Sequence, residues 1–391
     1  MYTTHNEPTH EGHSDFQAIT AAVIREKGGP FLLEELDLDS ELQAGDVLVR
    51  IVATGICQTD IHVSHQDIPT PLPIVLGHEG AGVVERVGPG VTSVTSGDHV
   101  AISYPSCGHC HPCLGGHPTY CEHAGQLFFG GERLDGSNAF HRNPGAQGPV
   151  HGHFFGQSSF ATYSIAMERN VVKVDKDLPL ELMGPLGCGF QTGAGAVVNS
   201  LKVPAGAGVA VFGTGAVGLA AIMAARIVDA NPIIAVDINA DRLAIASELG
   251  ATHVINGKNE DTKKRIFEIA GKGVDFVLEV TGRPDMLALG VEVLAPMGTA
   301  ALVGAAPVGT KAPIDMTTLL NGRSVKGNVE GDAIPQIFIP KLIEWFRAGQ
   351  FPFDRLVKFY DFADINQAVA DAHSGTVIKP ILRIGKTNTT E

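Results

Sequence analysis

The sequence predicts an α/β protein in which a mostly β part comes first and a doubly wound parallel sheet follows. Three observations carry that prediction. Short Val- and Ile-rich runs bounded by Gly and Pro fill residues 18–100, four cysteines are bunched within residues 107–121, and a G-x-G-x-x-G turn beginning at Gly213 stands between two apolar runs. The chain has 391 residues, 44% of them hydrophobic, which supports two or three domains with cores of their own and excludes a fibrous or disordered protein. Its formal charge of -14 comes from interspersed acids and bases, so neither nucleic acid nor an anionic membrane surface is an expected partner.

Residues 1–17 are polar and carry His5, His10 and His13. They lack the basic start, apolar centre and small-residue cleavage site of a targeting segment, and are expected to form a disordered tail. No apolar run approaches the length that spans a bilayer, and the cytoplasm is the expected location.

In the first part, Ala21-Ala22-Val23-Ile24, Val47-Leu48-Val49-Arg50-Ile51-Val52 and Gly82-Val83-Val84-Glu85-Arg86-Val87 read as strands, with turns at Gly45-Asp46, Gly88-Pro89 and Gly97-Asp98. Between them, Gly55-Ile56-Cys57-Gln58-Thr59-Asp60-Ile61-His62 and Gly77-His78-Glu79-Gly80 gather a thiol, a hydroxyl, acids and imidazoles. That mixture suits a metal site that also moves protons. Cys and His beside glycines also serve as turn packing, and the stretch alone leaves both readings open.

Cys107, Cys110, Cys113 and Cys121 then follow within one short segment. Four thiolates at this spacing suit a closed tetrahedral zinc site that fixes a loop and keeps no position for substrate. An iron–sulfur cluster is the nearest rival, but its bacterial pattern places the fourth Cys three residues on, followed by Pro, whereas here the gap is seven and Glu122 follows. Disulfides are disfavoured because a secreted scaffold is shorter and spreads its cysteines. A long loop is expected over residues 122–152, leading into the aromatic run His153-Phe154-Phe155.

The second part opens after Cys188. Val209-Ala210-Val211-Phe212 reads as a buried strand, Gly213-Thr214-Gly215-Ala216-Val217-Gly218 as a tight turn, residues 219–228 as a small apolar helix, and Ile233-Ile234-Ala235-Val236 as a second buried strand ending at Asp237. In this order they form a dinucleotide-binding fingerprint. The glycines admit pyrophosphate to the helix N-terminus, and Asp237 accepts from a ribose hydroxyl while repelling a 2′-phosphate, which favours NAD over NADP. Helical and strand runs alternate on to residue 304, giving a parallel sheet of about 140 residues. From about Glu330 a helix through Trp345 and a closing strand at 378–384 are expected to return to the first part.

Over about residues 18–384 the sequence resembles the zinc-dependent medium-chain alcohol dehydrogenases. The motifs that carry the resemblance are Gly77-His78-Glu79-Gly80-Ala81-Gly82, the four-cysteine segment, Gly187-Cys188-Gly189-Phe190 with Thr192, and the Gly213 turn with Asp237. Within the family it looks most like microbial aryl-alcohol (benzyl-alcohol) dehydrogenases, through Gln191-Thr192-Gly193-Ala194-Gly195-Ala196, Val303-Gly304-Ala305-Ala306-Pro307 and Glu330-Gly331-Asp332-Ala333-Ile334-Pro335.

The resemblance implies a GroES-like catalytic domain at 18–189, a Rossmann domain at 190–329 and a C-terminal return at 330–391. It implies one catalytic zinc on Cys57, His78 and Cys188, with Glu79 beneath the metal, and a structural zinc in the cysteine loop. Asp60 is expected to orient His78, Thr59 to bond the substrate oxygen and His62 to pass the proton outward. Cofactor contacts are expected from Gly213, Gly215, Gly218, Asp237, Arg242, Thr192, Val303 and Lys379; Gln58 stands where some relatives have a cationic pyrophosphate contact. Phe154, Phe155 and Tyr104 are expected on the pocket wall, which suits a flat benzylic or allylic alcohol, oxidised reversibly to the aldehyde by NAD. The alternatives are a broad aliphatic alcohol dehydrogenase or aldehyde reductase, and a nucleotide-binding structural protein on the same fold. A homodimer or homotetramer is expected, since relatives pair through the nucleotide domain.

Overall fold

A computed structural model of the chain describes residues 16–142 and 149–385. The histidines at 5, 10 and 13 and the stretch 143–148 lie outside the described residues. Three sheets organise the rest.

The chain begins with an antiparallel pair, Phe16–Ile24 on Leu32–Asp39, in which Phe16 faces Asp39. Phe16 and Gln17, expected in the tail, are therefore strand residues. The apolar half of the first strand, from Ala21 to Ile24, is wholly buried.

A second sheet is built on Asp46–Gly55, a strand whose Val, Leu, Ile and Ala side chains are buried along most of its length. It pairs antiparallel with Gly80–Val87 on one side and with the C-terminal strand Lys379–Arg383 on the other. That last pairing sets Ile381 opposite Gly55, and Pro380 accepts the backbone N–H of Ile56 at 3.0 Å. A residue from the end of the chain is thus brought against the turn that carries Cys57.

The third sheet has six parallel strands, in the order His253–Asn256, Ile233–Asp237, Val209–Phe212, Val274–Glu279, Leu294–Leu302, Ser324–Gly327. Counted along the chain the order is third, second, first, fourth, fifth, sixth, that of a dinucleotide-binding sheet whose reversal point lies at the ends of the two central strands. All four residues of Val209–Phe212 are buried, as a strand covered by helices on both faces requires. The helix Ala216–Ile227 fits tightly because Gly218 lies under it: a Cβ there would stand 1.9 Å from the Gly213 carbonyl oxygen.

The segment 122–152 is not a bare loop. It contains a helix, Ala124–Phe129, and a short strand, Phe140–Arg142, that extends the first sheet. The helix was hidden from periodicity because it is short and runs straight into Gly130 and Gly131. Among the described residues no helix is long and apolar enough to cross a membrane.

Candidate active site

The site starts at the end of the Asp46–Gly55 strand, where Cys57 is the N-cap of the helix Gln58–Ser64. Asp60, at the third helical position, accepts the Cys57 N–H through Oδ2 at 2.9 Å, which caps the helix. Its other oxygen accepts from His78 Nδ1 at 2.9 Å and from the Gly77 N–H at 3.1 Å. One buried carboxylate therefore caps the helix and fixes the His78 ring. Thr59 Oγ1 lies 3.8 Å from Cys57 Sγ, and His62, three residues further along the helix, shares a face with Thr59.

Cys188 is the N-cap of a second helix, Gly189–Gly195, and closes the cluster. The ligand atoms of Cys57, His78, Glu79 and Cys188 all lie within 4.8 Å of one another. His78 Nε2 is buried and has no hydrogen-bond partner among the described residues. A buried orphan nitrogen costs roughly 1–3 kcal/mol unless something binds it, and two thiols beside it make a metal ion the fitting occupant. Behind His78, Gln157 donates to the His78 carbonyl at 2.9 Å and accepts from the Gly80 N–H at 3.1 Å, holding the ligand's backbone as Asp60 holds its ring.

Lys379 has a different first partner from the pyrophosphate expected for it. It is 2% exposed, and its Nζ lies 2.8 Å from each Glu79 carboxylate oxygen and 3.2 Å from the Ile56 carbonyl. Burial pulls the ammonium down, but Glu79 and Cys57 more than offset it and hold Lys379 above its ordinary range. The same pairing leaves Glu79 committed to Lys379 and to the Gly189 N–H at 3.2 Å.

Cys107, Cys110, Cys113 and Cys121 converge in the same way, with sulfur atoms 4.0 Å apart for Cys107 and Cys113 and 3.9 Å for Cys110 and Cys121. The Cys110 N–H points at Cys107 Sγ (3.4 Å) and the Cys107 N–H at Cys121 Sγ (3.3 Å), bonds that stabilise thiolates. The exposed His109 and His123 also bring ring nitrogens within 4.8 Å of Cys107 Sγ, but the four thiols form a complete tetrahedral set without them.

A cleft of about 690 Å³ runs from Cys57, Gln58 and Gly189 past the Gly213 turn to Asp237 and Arg242. Gly213 needs its glycine because φ is +96°, and Gly215 has nothing within 4 Å of where a Cβ would stand, so the turn opens onto the cleft. Asp237 accepts through one oxygen from the Thr214 N–H and hydroxyl, both at 2.7 Å, and through the other from the N–H groups of Ile238 and Asn239. Arg242 donates to the Gly375 carbonyl at 3.2 Å, and its Nε is buried without a partner among the described residues. These features fit a dinucleotide. Thr192 and Val303 do not line this cleft: the Thr192 hydroxyl faces Glu330 at 3.5 Å, and Val303 packs on the core beneath the sheet.

Phe155 stacks on His78 with ring centroids 4.6 Å apart, and Phe154 meets the same ring edge-on at 5.5 Å. Phe128 stacks on Phe155 in turn at 4.6 Å, and Phe129 contacts both. Tyr104 is buried, packs its ring on Phe128 and gives its hydroxyl to the Ala333 carbonyl, so it has no donor to offer a substrate.

Four contributors were not legible in the sequence. Phe128 and Phe129 sit in the segment read as a loop. Glu330, quoted only as part of a motif, is 6% exposed, accepts from Gln191 Nε2 at 2.9 Å and is raised to about 7, chiefly by burial. Gln157 follows the Phe pair and carries no motif of its own. Each owes its role to burial, which a single carboxylate or amide in a string does not announce.

Two families match the chain: "Alcohol dehydrogenase GroES-like domain" over residues 43–176 and "Zinc-binding dehydrogenase" over residues 216–348. A geraniol dehydrogenase of Castellaniella defragrans is 44% identical over 371 residues, covering 94% of this chain and 98% of that protein. Among solved structures, a benzyl alcohol dehydrogenase from Acinetobacter calcoaceticus is 48% identical with a TM-score of 0.91, covering 94% of this chain and all of that one. An alcohol dehydrogenase zinc-binding domain protein from Burkholderia ambifaria is 54% identical with a TM-score of 0.92, over 95% of this chain and 100% of that one.

Proposed function

The chain belongs to the zinc-dependent medium-chain alcohol dehydrogenases, and from that premise we propose that it oxidises primary aromatic or allylic alcohols reversibly to aldehydes, with NAD as hydride acceptor. The observation that carries the proposal is the Cys57, His78, Cys188 and Glu79 cluster at one end of the cleft, with a stacked phenylalanine wall on its histidine. The names of the geraniol and benzyl alcohol relatives support the substrate class.

Cys57, His78 and Cys188 would hold a catalytic zinc and the four-cysteine loop a structural one, two per chain. When bound, zinc stabilises negative charge on the substrate oxygen and the nicotinamide accepts the hydride. The protein's part is to position and to move a proton. Thr59 bonds the alcohol oxygen, His62 receives its proton and passes it to water, Asp60 keeps His78 oriented, and the stacked rings of Phe154, Phe155 and Phe128 form an apolar backing behind His78. Asp237 selects NAD through its charge, with Gly213, Gly215, Gly218 and Arg242 along the cofactor path and Lys379 at the Cys57 end of the same cleft, while Thr192 and Val303 lie off it.

Residues 18–189 form the catalytic domain, 190–329 the nucleotide domain and 330–391 the return. The exposed edge strand Ser324–Gly327, beside Met316 and Leu320 at more than four-fifths exposure, supports pairing with a second copy along the nucleotide sheet. The deciding experiment follows NADH absorbance with benzylic, allylic and straight-chain alcohols. Benzyl alcohol or geraniol is expected to give the highest kcat/KM, and a preference for straight-chain alcohols would overturn the substrate class.

A further inference from the structure

The helix Gln58–Ser64 ends in an unusual cap. His65 is its C-cap, and Gln66 follows at φ +57°, a left-handed position that usually holds glycine. The Gln66 N–H donates to the Val63 carbonyl and the Asp67 N–H to the His62 carbonyl, both at 2.9 Å, so the chain doubles back over the last turn. This two-bond closure sets Asp67 beside His62 a second time, through the side chains: Asp67 Oδ2 lies 3.0 Å from His62 Nδ1. A non-glycine residue at that angle is strained, and it persists only because the surrounding bonds fix the turn.

We propose that Asp67 is a positioning residue for proton exit: its carboxylate holds His62 as the Nδ1–H tautomer and leaves Nε2 as the acceptor. The inference rests on the reading of His62 as proton relay. In the oxidation direction the alcohol proton arrives at Nε2, the imidazolium keeps Nδ1–H on Asp67, and Nε2 then releases its proton to water, so His62 returns to the same tautomer with no other co-reactant. Two other basic groups lie near this carboxylate, Lys27 and His65. His65 gives its Nδ1 to the Ile61 carbonyl at 2.9 Å and stacks on His373, so it does not displace His62 from Asp67. His62 is about one-quarter exposed and Asp67 about two-fifths, which puts the pair where a proton can leave to solvent.

The test compares the zinc-loaded parent enzyme with His62→Gln, Asp67→Asn and the double variant, using NAD and benzyl alcohol. Each single substitution is expected to lower kcat about tenfold with KM for both substrates little changed, as loss of an orienting partner does. The double variant is expected to be no slower than His62→Gln alone. In ¹⁵N-histidine spectra of the parent, His62 is expected to be protonated at Nδ1, with the Nε2–H form gaining in Asp67→Asn. Parent-level kcat in Asp67→Asn, an equal loss in both backgrounds, or an unchanged tautomer overturns the inference while leaving the relay in place. Parent-level kcat in His62→Gln overturns the relay reading and this inference together.

Discussion

His78 is gripped on one ring nitrogen by Asp60 and has no partner on the other among the described residues, and its ring is buried. Asp60→Asn keeps the volume and loses the charge, so the ring is free to rotate and its nitrogen becomes a weaker ligand. We expect zinc affinity at this site to fall roughly 10–100-fold, read by competition with a chelator, while the cysteine-loop metal stays bound. His153 makes a prediction about acid stability. It is 5% exposed, its Nε2 accepts from the Ala139 N–H at 3.2 Å, and burial followed by the Arg133 charge pushes it down to about 3. The folded chain therefore keeps His153 neutral between pH 6.5 and 3 while the unfolded chain protonates it, and stability falls by about 1.4 kcal/mol per pH unit as pH drops through that window. His153→Gln is expected to flatten this part of the profile, measured by denaturant unfolding at several pH values; an unchanged slope would refute it.

Elements contribute what no single residue can. The cysteine loop is joined to the start of the C-terminal return by Tyr120, which donates to Asp332, and Asp332 also receives Lys326 Nζ at 2.8 Å. Glu330, Gly331 and Asp332 have positive φ in succession, so one strained turn sends Glu330 inward to Gln191 and Asp332 outward to the loop. Cys110→Ser is expected to reduce metal content from about two zinc ions per chain to about one and to lower Tm, because the loop loses its closure. Retention of both ions would contradict the structural assignment. The aromatic wall belongs to the same scale. Phe128→Ala should cost roughly 3–5 kcal/mol of stability, as large-to-small changes in a packed core do, and should reduce kcat/KM for benzyl alcohol more than for a straight-chain alcohol.

At this scale the limits of sequence reading are physical. The strand runs, the glycine turn and the cysteine spacing are local patterns, and local patterns are legible. The helix Ala124–Phe129 was not, because six residues are too few for a period and its apolar face is defined by Phe154 and Phe155, which follow about 25 positions later. The resemblance gives Lys379 as a basic phosphate contact of the family; the antiparallel pairing of its strand with Asp46–Gly55 delivers it to Glu79 instead.

Across the whole molecule, the cleft joins groups from both ends of the chain. On the proposed reading, Asp237 sets which dinucleotide fits. Asp237→Asn retains an acceptor for the Thr214 N–H and hydroxyl and removes the charge that repels a 2′-phosphate, so the preference for NAD over NADP is expected to fall by about a hundredfold. An unchanged ratio of kcat/KM values would show that other groups set the choice.

The sequence by itself determined the family, the two-part α/β architecture, the cysteines bunched at 107–121 and the glycine turn, because these depend on residue type and short spacing. Tertiary structure decided the rest. It set Cys188 beside Cys57 across 131 positions, gave Glu79 to Lys379, stacked Phe128 on Phe155 and folded Asp67 back onto His62. Those contacts follow from strand register, helix capping and burial, which arise only when distant segments pack together.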